Sequence, residues 1–405
     1  MTVGSVAVAP ARQAFPDQLR GIALLGIILV NVPFLGISAE GYSDTSVAGG
    51  LDRVVAFLVT MLAAGKFYLI FSFLFGYSAL FILKDGSKPF RRVYRRRLVA
   101  LLLLGVAHLV FFFVGDILVT YALLGFALLL LVKRRDRALW LTALLVWAAA
   151  TLSLVGLAAL TALVSALAPE AAAVDTAWVE NYDTAMADGT FWQAAMARLV
   201  AYPVVLFSLV VAQAPLAFAA FCLGMLAARH RMLGRLEEFR PWLRRGAIWG
   251  LAIGLPLQFV GTWFILGPGR LVGVGAEALG QAAAAVQFVV APILSAGYVG
   301  ALGLLALRHP RALAPFGPPG QVSLTIYLGE SVLLCVIFCG WGFGLFGTLG
   351  AAAATGVAIG CWALLAVLAS LWLRRFAQGP LEWLVGRWTK APVRRLAERG
   401  AGAPA

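Results

Sequence analysis

Long apolar runs, about ten of them and each close to the roughly 20 residues that a helix needs to cross a bilayer, take up most of this chain and leave it few ways to fold. They fall near 21–37, 54–83, 98–114, 117–132, 139–167, 199–228, 247–266, 282–307, 322–340 and 349–373. No period-2 alternation of apolar and polar residues marks them, so helices rather than barrel strands are the spanning form. Only 12% of the residues are charged against 62% hydrophobic, whereas soluble domains carry about a quarter charged residues. The fold expected is all-α: a polytopic integral membrane helical bundle of about ten transmembrane helices.

A net charge of +14 would suggest nucleic acid in a soluble protein, but here the charges are sorted by side. With the N-terminus inside and alternation through ten spans, about 28 of the 32 Lys and Arg fall in cytoplasmic segments. The opposite side holds Glu40, Asp44, Asp52, Glu170, Asp175, Glu180, Asp183 and Asp188. Both termini are therefore expected in the cytoplasm, and the basic loops find their partner in anionic lipid headgroups without any nucleic acid. The chain divides into a cytoplasmic segment 1–20, a transmembrane domain 21–373 with an outer loop 168–197, and a basic tail 374–405. The first apolar run reads as an uncleaved span. Abundant Ala and an excess of Arg over Lys suggest a bacterial protein rich in G and C codons, and hence the inner (plasma) membrane. Cys222, Cys335, Cys339 and Cys361 lie in apolar spans without metal-ligand spacing; they read as small packing residues, and no metal is expected. Gly250 with Gly254, and Gly356 with Gly360, set small residues on one helix face, where a neighbouring helix can approach closely.

Ionisable groups inside a bilayer are costly and mark sites. Asp17, Arg20, Asn31, Lys66, His108, Asp116, Tyr121 and Glu330 stand in or against the apolar runs. His108 is the sole histidine within a span, so an intramembrane imidazole acid or base has to be this residue. On one continuous helix the eight residues to Asp116 amount to about 12 Å along the axis and about 80° around it, which excludes direct contact but lets both face one cavity. Asp17 and Arg20, three apart, can pair at the start of the first span. Arg20 with Arg92, Arg95 and Arg96 could instead receive phosphates, because guanidinium forks match their geometry. Glu330, midway along a span beside Tyr327, needs a partner such as Lys66 or Arg20. Trp178, Tyr182, Phe191 and Trp192 in the outer loop read as interfacial anchors or a lid, and Gly379-Pro-Leu-Glu382-Trp383 as a structural element at the inner interface.

The segments Asp17 to Asn31, Lys66 to Gly76, Arg96-Arg97 through His108 to Gly115-Asp116, Thr325-Ile-Tyr327, and Gly379 to Trp383 together resemble the YeiB family of bacterial polytopic membrane proteins. Arg20-Gly21 followed by Asn31, eleven residues after the arginine, is also distantly similar to heparan-alpha-glucosaminide acetyltransferase-like transmembrane acyltransferases. The histidine that those proteins carry in the outer loop would fall at about Tyr42 here, and no His lies between Asn31 and His108. The resemblance implies transfer of an acyl group from cytoplasmic acyl-CoA to the hydroxyl or amine of a small-molecule or glycan acceptor at the outer face. On that reading His108 is the general base, Asp116 orients it, Asn31 and Lys66 stabilise the oxyanion, Arg20, Arg92, Arg95 and Arg96 hold the donor, and Tyr121, Tyr327 and Glu330 contact substrate. A transporter binding a small solute or relaying protons through Asp116, Glu330, Lys66 and His108 is the alternative, and a scaffold whose polar groups only fix helix packing is the third.

Overall fold

The computed structural model describes residues 14–42, 46–167, 177–267 and 276–389. Asp44, Glu170, Asp175, residues 1–13 and the tail beyond 389 lie outside them. Among the described residues every regular element is a helix, as apolar spans require when no water is at hand for the backbone. The order is α1 (Ala14–Gly36), α2 (Gly50–Leu62), α3 (Phe67–Leu83), α4 (Lys88–Phe111), α5 (Leu118–Leu128), α6 (Asp136–Leu167), α7 (Ala177–Ala187) and α8 (Phe191–Ser208). A π-helical turn at Leu209–Gln213 joins α8 to α9 (Ala214–Arg229); α10 (Arg240–Leu266), α11 (Ala276–Arg308), α12 (Gly317–Gln321), α13 (Ser323–Phe338) and α14 (Ala351–Trp372) follow. A last helix occupies 380–389.

Seven segments are long and apolar enough to cross a membrane: α1, α2 with α3, α6, α8 with α9, α10, α11 and α14. The number rises to eight if α12 and α13, bent by 86°, make one broken span. The remaining shortfall, from ten to eight, lies in α4 and α5. Helix α5 has 11 residues, about 16 Å against a hydrocarbon core of about 30 Å. The first half of α4 carries Arg91, Arg92, Arg95, Arg96 and Arg97. The two form a hairpin whose turn is buried within the bundle at Phe113, Val114, Asp116 and Ile117.

Helix α1 is the axis of the assembly. It is buried around nearly its whole circumference and packs on α3, α12, α13 and α14. The peripheral helices α6, α8, α10 and α14 instead expose rows of Leu, Val and Trp such as Leu145, Leu152, Val200, Trp249 and Val367, the surface a lipid solvent favours. Of the two glycine stripes, Gly250 packs on the backbone of Gly297 and Gly254 on Leu294, which draws α10 onto α11. Gly356 and Gly360 meet nothing within 4 Å, so that stripe seats no helix among the described residues.

Candidate functional site

Local chain geometry brings the two central ionisable residues together. Helix α4 ends at Phe111, where the N–H groups of Phe112 and Phe113 both donate to the His108 carbonyl, at 2.9 and 2.8 Å. The chain then reverses, and Asp116 accepts the Val119 N–H at 2.9 Å through Oδ1, capping α5 from its N-terminal side. Its other oxygen, Oδ2, lies 2.7 Å from His108 Nδ1. The separation expected from a continuous helix is thus overturned: the break at residues 112–117 folds Asp116 back onto the last turn of α4. Gly105 allows this. A Cβ there would lie 2.7 Å from Val119 N, 2.8 Å from Asp116 Oδ1 and 2.9 Å from Leu118 Cβ.

A carboxylate only accepts, so His108 Nδ1–H is the donor. That leaves Nε2, which has no hydrogen-bond partner among the described residues. The Tyr327 ring packs on the imidazole with centroids 5.2 Å apart. Its hydroxyl accepts the Ile117 N–H at 3.3 Å and faces Asp116 Oδ2 at 3.5 Å. Helix α13 is set in place by Glu382 of the C-terminal helix. That carboxylate accepts from Leu324 N at 2.7 Å, Thr325 N at 3.2 Å and Thr325 Oγ1 at 2.6 Å, satisfying donors that the start of a helix leaves orphaned. Within the segment 379–383, Glu382 thus acts as a cap for α13.

Two cavities are stacked along α1 and share Tyr327 as a wall. The larger, about 780 Å³, runs from Tyr327, Leu118 and Tyr121 past Arg20, Ser78 and Arg97 to Lys84 and Thr389. The smaller, about 460 Å³, runs from Tyr327 and Ile117 past Asn31 and Gln213 to Trp178 and Ala39. Arg20 belongs to the first and donates to Asp17 at 2.6 Å and to Ser78 Oγ. Arg97 makes no hydrogen bond or ion pair among the described residues; its guanidinium lies 5.9 Å from the Phe75 ring. Asn31, in the second cavity, likewise has an amide with no described hydrogen bond. Tyr121 donates to the Tyr68 carbonyl at 2.9 Å and touches Ser72 Oγ at 2.6 Å.

Other residues singled out in the sequence sit elsewhere. Lys66 is fully buried, but its ammonium donates to Thr60 O at 3.2 Å and Gln287 Oε1 at 3.1 Å, in a network with Gln258 and Thr262. It lines neither cavity; His108 and Asp116 line neither as well, but they lie directly behind Tyr327, which lines both. Glu330 is buried with neither oxygen hydrogen-bonded, so the pairing with Lys66 or Arg20 is not made. Arg92 and Arg95 are exposed. Arg96 stacks on Trp388 and donates to its carbonyl at 3.1 and 2.7 Å, anchoring the last helix. The arginine of that run that turns into the cavity is Arg97, which sequence reasoning passed over, because five arginines on one helix do not reveal its phase. Arg198, completely buried, was missed as well; it stands at the margin of an apolar run, where arginines are commonplace.

The aromatics of residues 178–192 separate by what they touch. Trp178 and Tyr182 of α7 line the smaller cavity, whereas Phe191 and Trp192 pack on Phe111. Asp183 holds α7 to the end of α1, accepting from Ser38 Oγ at 2.6 Å and Ala39 N at 2.7 Å. Burial pushes its carboxyl above the ordinary carboxylate value, and these two donors partly offset that.

Among proteins of known sequence, the chain is 30% identical to the uncharacterized protein YxaH of Bacillus subtilis over 91% of its own length and 92% of that protein's. It is 27% identical to the uncharacterized protein YeiB of Escherichia coli K12, over 95% and 96% of the two chains. An uncharacterized 39.9 kDa protein from the amylase 3' region of Bacillus acidopullulyticus matches at 25% over 91% of each. The sequence profile of DUF418, described as a protein of unknown function, matches residues 227–392. No solved structure matches the chain.

Proposed function

The chain belongs to the DUF418 family, with YxaH and YeiB as full-length relatives, and from that premise and the paired cavities we propose that it is a transmembrane acyltransferase of the bacterial inner membrane. Both termini lie in the cytoplasm, so the larger cavity opens inward and the smaller outward. Acyl-CoA places its phosphates among Arg20, Arg97 and Lys84, where guanidinium groups suit phosphate oxygens. Its thioester reaches down the aromatic channel past Phe71 and Phe75 toward Tyr327. The acceptor, a hydroxyl or amine, enters beside Asn31.

The observation that carries this reading is that Tyr327 forms a wall of both cavities with the His108–Asp116 pair directly behind it. In the reaction the acceptor oxygen or nitrogen attacks the thioester carbonyl, the C–S bond breaks, and the proton lost by the acceptor ends on the departing thiol. Tyr327 and Asp116 are placed to pass that proton. His108 holds Asp116 by its Nδ1–H and keeps Nε2 in reserve as the base, and the Asn31 amide faces the developing oxyanion. Lys66, bonded among Thr60 and Gln287, has a positioning role at the α2–α3 junction in place of one in the chemistry.

The test is acyl-CoA binding to purified protein, with thioester hydrolysis followed in parallel, in the parent and in Arg97→Ala, Tyr327→Phe and His108→Ala. Saturable binding lost with Arg97 and hydrolysis lost with Tyr327 or His108 supports the enzyme; no binding at millimolar donor refutes it. One feature favours transport instead: buried Glu330, bonded to nothing described, is the kind of carboxyl that carries protons in membrane pumps. Flux of an unmodified solute driven by a proton gradient and lost in Glu330→Gln would establish that reading.

A further inference from the structure

At the end of α13 away from Glu382, three sulfur atoms surround a guanidinium. Arg198 Nη2 lies 3.3 Å from Met186 Sδ, 3.7 Å from Cys335 Sγ and 3.5 Å from Cys339 Sγ, while Nη1 donates to the Phe111 carbonyl at 3.0 Å. The side chain is wholly buried, its Nε has no partner among the described residues, and no carboxylate is among its bonding partners. A buried cation is costly unless it is paired. Among the groups that Arg198 Nη2 bonds, the thiols are the ones able to carry the compensating negative charge.

We propose that Cys335 and Cys339 are a peroxide-sensitive dithiol, with Cys339 the attacking thiolate and Cys335 the resolving thiol. A thiolate held by a neighbouring guanidinium is the reactive form of cysteine. The two positions are four apart at a helix end, with Cα atoms about 6 Å apart by helix geometry, inside the usual disulfide range of about 4.4–6.8 Å. Cys339 closes the helix with φ −66° and ψ 150°: its Cβ keeps the helical direction, on the face of Cys335, while the chain beyond it turns away. Both Sγ atoms lie within reach of the same nitrogen. The roles differ because Cys335 donates its S–H to the Phe112 carbonyl at 3.1 Å and so keeps its proton.

The oxidant is a hydroperoxide. The Cys339 thiolate attacks one peroxide oxygen, the O–O bond breaks, and the departing hydroxide takes up a proton, leaving a sulfenic acid. The Cys335 sulfur then attacks the Cys339 sulfur; the S–S bond forms, the S–O bond breaks, and the leaving hydroxide takes the Cys335 proton as water. Overall one disulfide forms and one peroxide becomes two waters. The disulfide removes the S–H donor to Phe112 and the charge that faces Arg198. Cys335 holds the Phe112 carbonyl and Arg198 the Phe111 carbonyl where α4 ends, one turn beyond His108, so oxidation loosens the hairpin that joins His108 to Asp116.

Cys222 and Cys361, buried in the same bundle without such a cation, are internal controls. The full chain in detergent is titrated with hydrogen peroxide, alkylated under denaturing conditions, and each cysteine is read by peptide mass spectrometry. The expected result is joint loss of alkylation at Cys335 and Cys339 in one intramolecular disulfide, at peroxide doses at least about tenfold below those that touch Cys222 or Cys361. In Cys335→Ser, dimedone should label Cys339 as a trapped sulfenic acid; in Arg198→Gln the advantage of Cys339 should disappear. If Arg198→Gln does not fold, the Cys335→Ser labelling still decides. Equal reactivity of all four cysteines, or no dimedone adduct at Cys339, overturns the proposal.

Discussion

Gly105→Ala tests whether the α4–α5 hairpin sets the geometry of the site. On helix propensity alone the change would stabilise α4 by up to about 1 kcal/mol. The new methyl, however, meets three atoms at 2.7–2.9 Å, of which Val119 N is backbone and Asp116 Oδ1 is already bonded. Ordinary contact begins near 3.4 Å, so the two helices must part by roughly half an ångström or more. Overpacking of this kind costs about 1–3 kcal/mol, and loss of the Asp116 cap adds about 1 kcal/mol, which gives a net loss of about 1–3 kcal/mol. Function should suffer more than stability, because a contact of 2.7 Å between His108 and Asp116 weakens steeply when stretched beyond about 3.2 Å. Thermal unfolding in one detergent, measured beside thioester hydrolysis or solute flux, reads both effects. A variant that melts higher than the parent and keeps full activity would refute the argument that close approach at Gly105 builds the site.

Three further outcomes follow from the same contacts. Glu382→Ala removes the acceptor for two backbone donors and the Thr325 hydroxyl and should cost about 2–3 kcal/mol in thermal unfolding, with Glu382→Gln losing about half as much. Lys66→Met removes a buried ammonium that has only neutral acceptors, so relief of desolvation offsets the lost bonds to within about 1 kcal/mol; acyl-CoA binding should be unchanged, and its abolition would place Lys66 in the site after all. Asp183, whose carboxyl burial raises, binds its proton more readily folded than unfolded. Its contribution to stability is therefore greatest below the unfolded carboxylate value and falls as pH rises through the raised folded one. Protease protection of α7 should weaken across that window as pH rises and lose the dependence in Asp183→Asn; a parent whose protection increases with pH contradicts the sign.

The fold class was legible in the sequence because it rests on a summed property, apolar length, that no single residue can reverse. The number of spans was less so: hydropathy cannot separate a spanning helix from the eleven-residue α5, whose burial comes from its neighbours. The polar residues of the site were visible as exceptions in apolar runs, and His108, Asp116, Asn31, Arg20, Tyr121 and Tyr327 do gather about the two cavities. What failed was distance. An eight-residue gap gives one answer on a helix and another around a turn, and the two residues left between the apolar runs 98–114 and 117–132 do not say which way the turn carries Asp116. Glu382 and Arg198 act on residues more than fifty and more than a hundred positions away, pairings that local spacing does not encode.

Polar groups in this bundle separate by what they leave unbonded. The Lys66 ammonium, the Glu382 carboxylate and the Arg96 guanidinium each bond to fixed partners and join helices, which is a sufficient reason for their presence. The His108–Asp116 contact joins a hairpin that the two amide bonds to the His108 carbonyl and the Val119 cap already close. An apolar pair would keep the two bonds to the His108 carbonyl and lose the Val119 cap, worth about 1 kcal/mol, which is less than the several kcal/mol that burying a carboxylate costs. Packing alone therefore does not explain the dyad: His108 Nε2 is buried and bonds to nothing described, while the Asn31 amide and the Arg97 guanidinium, each on the wall of a cavity, make no described hydrogen bond. Arg97, Tyr327 and Asn31 follow one path through the two cavities, and a ligand lying along it would meet the Arg97 and Asn31 groups directly and His108 only through the Tyr327 ring.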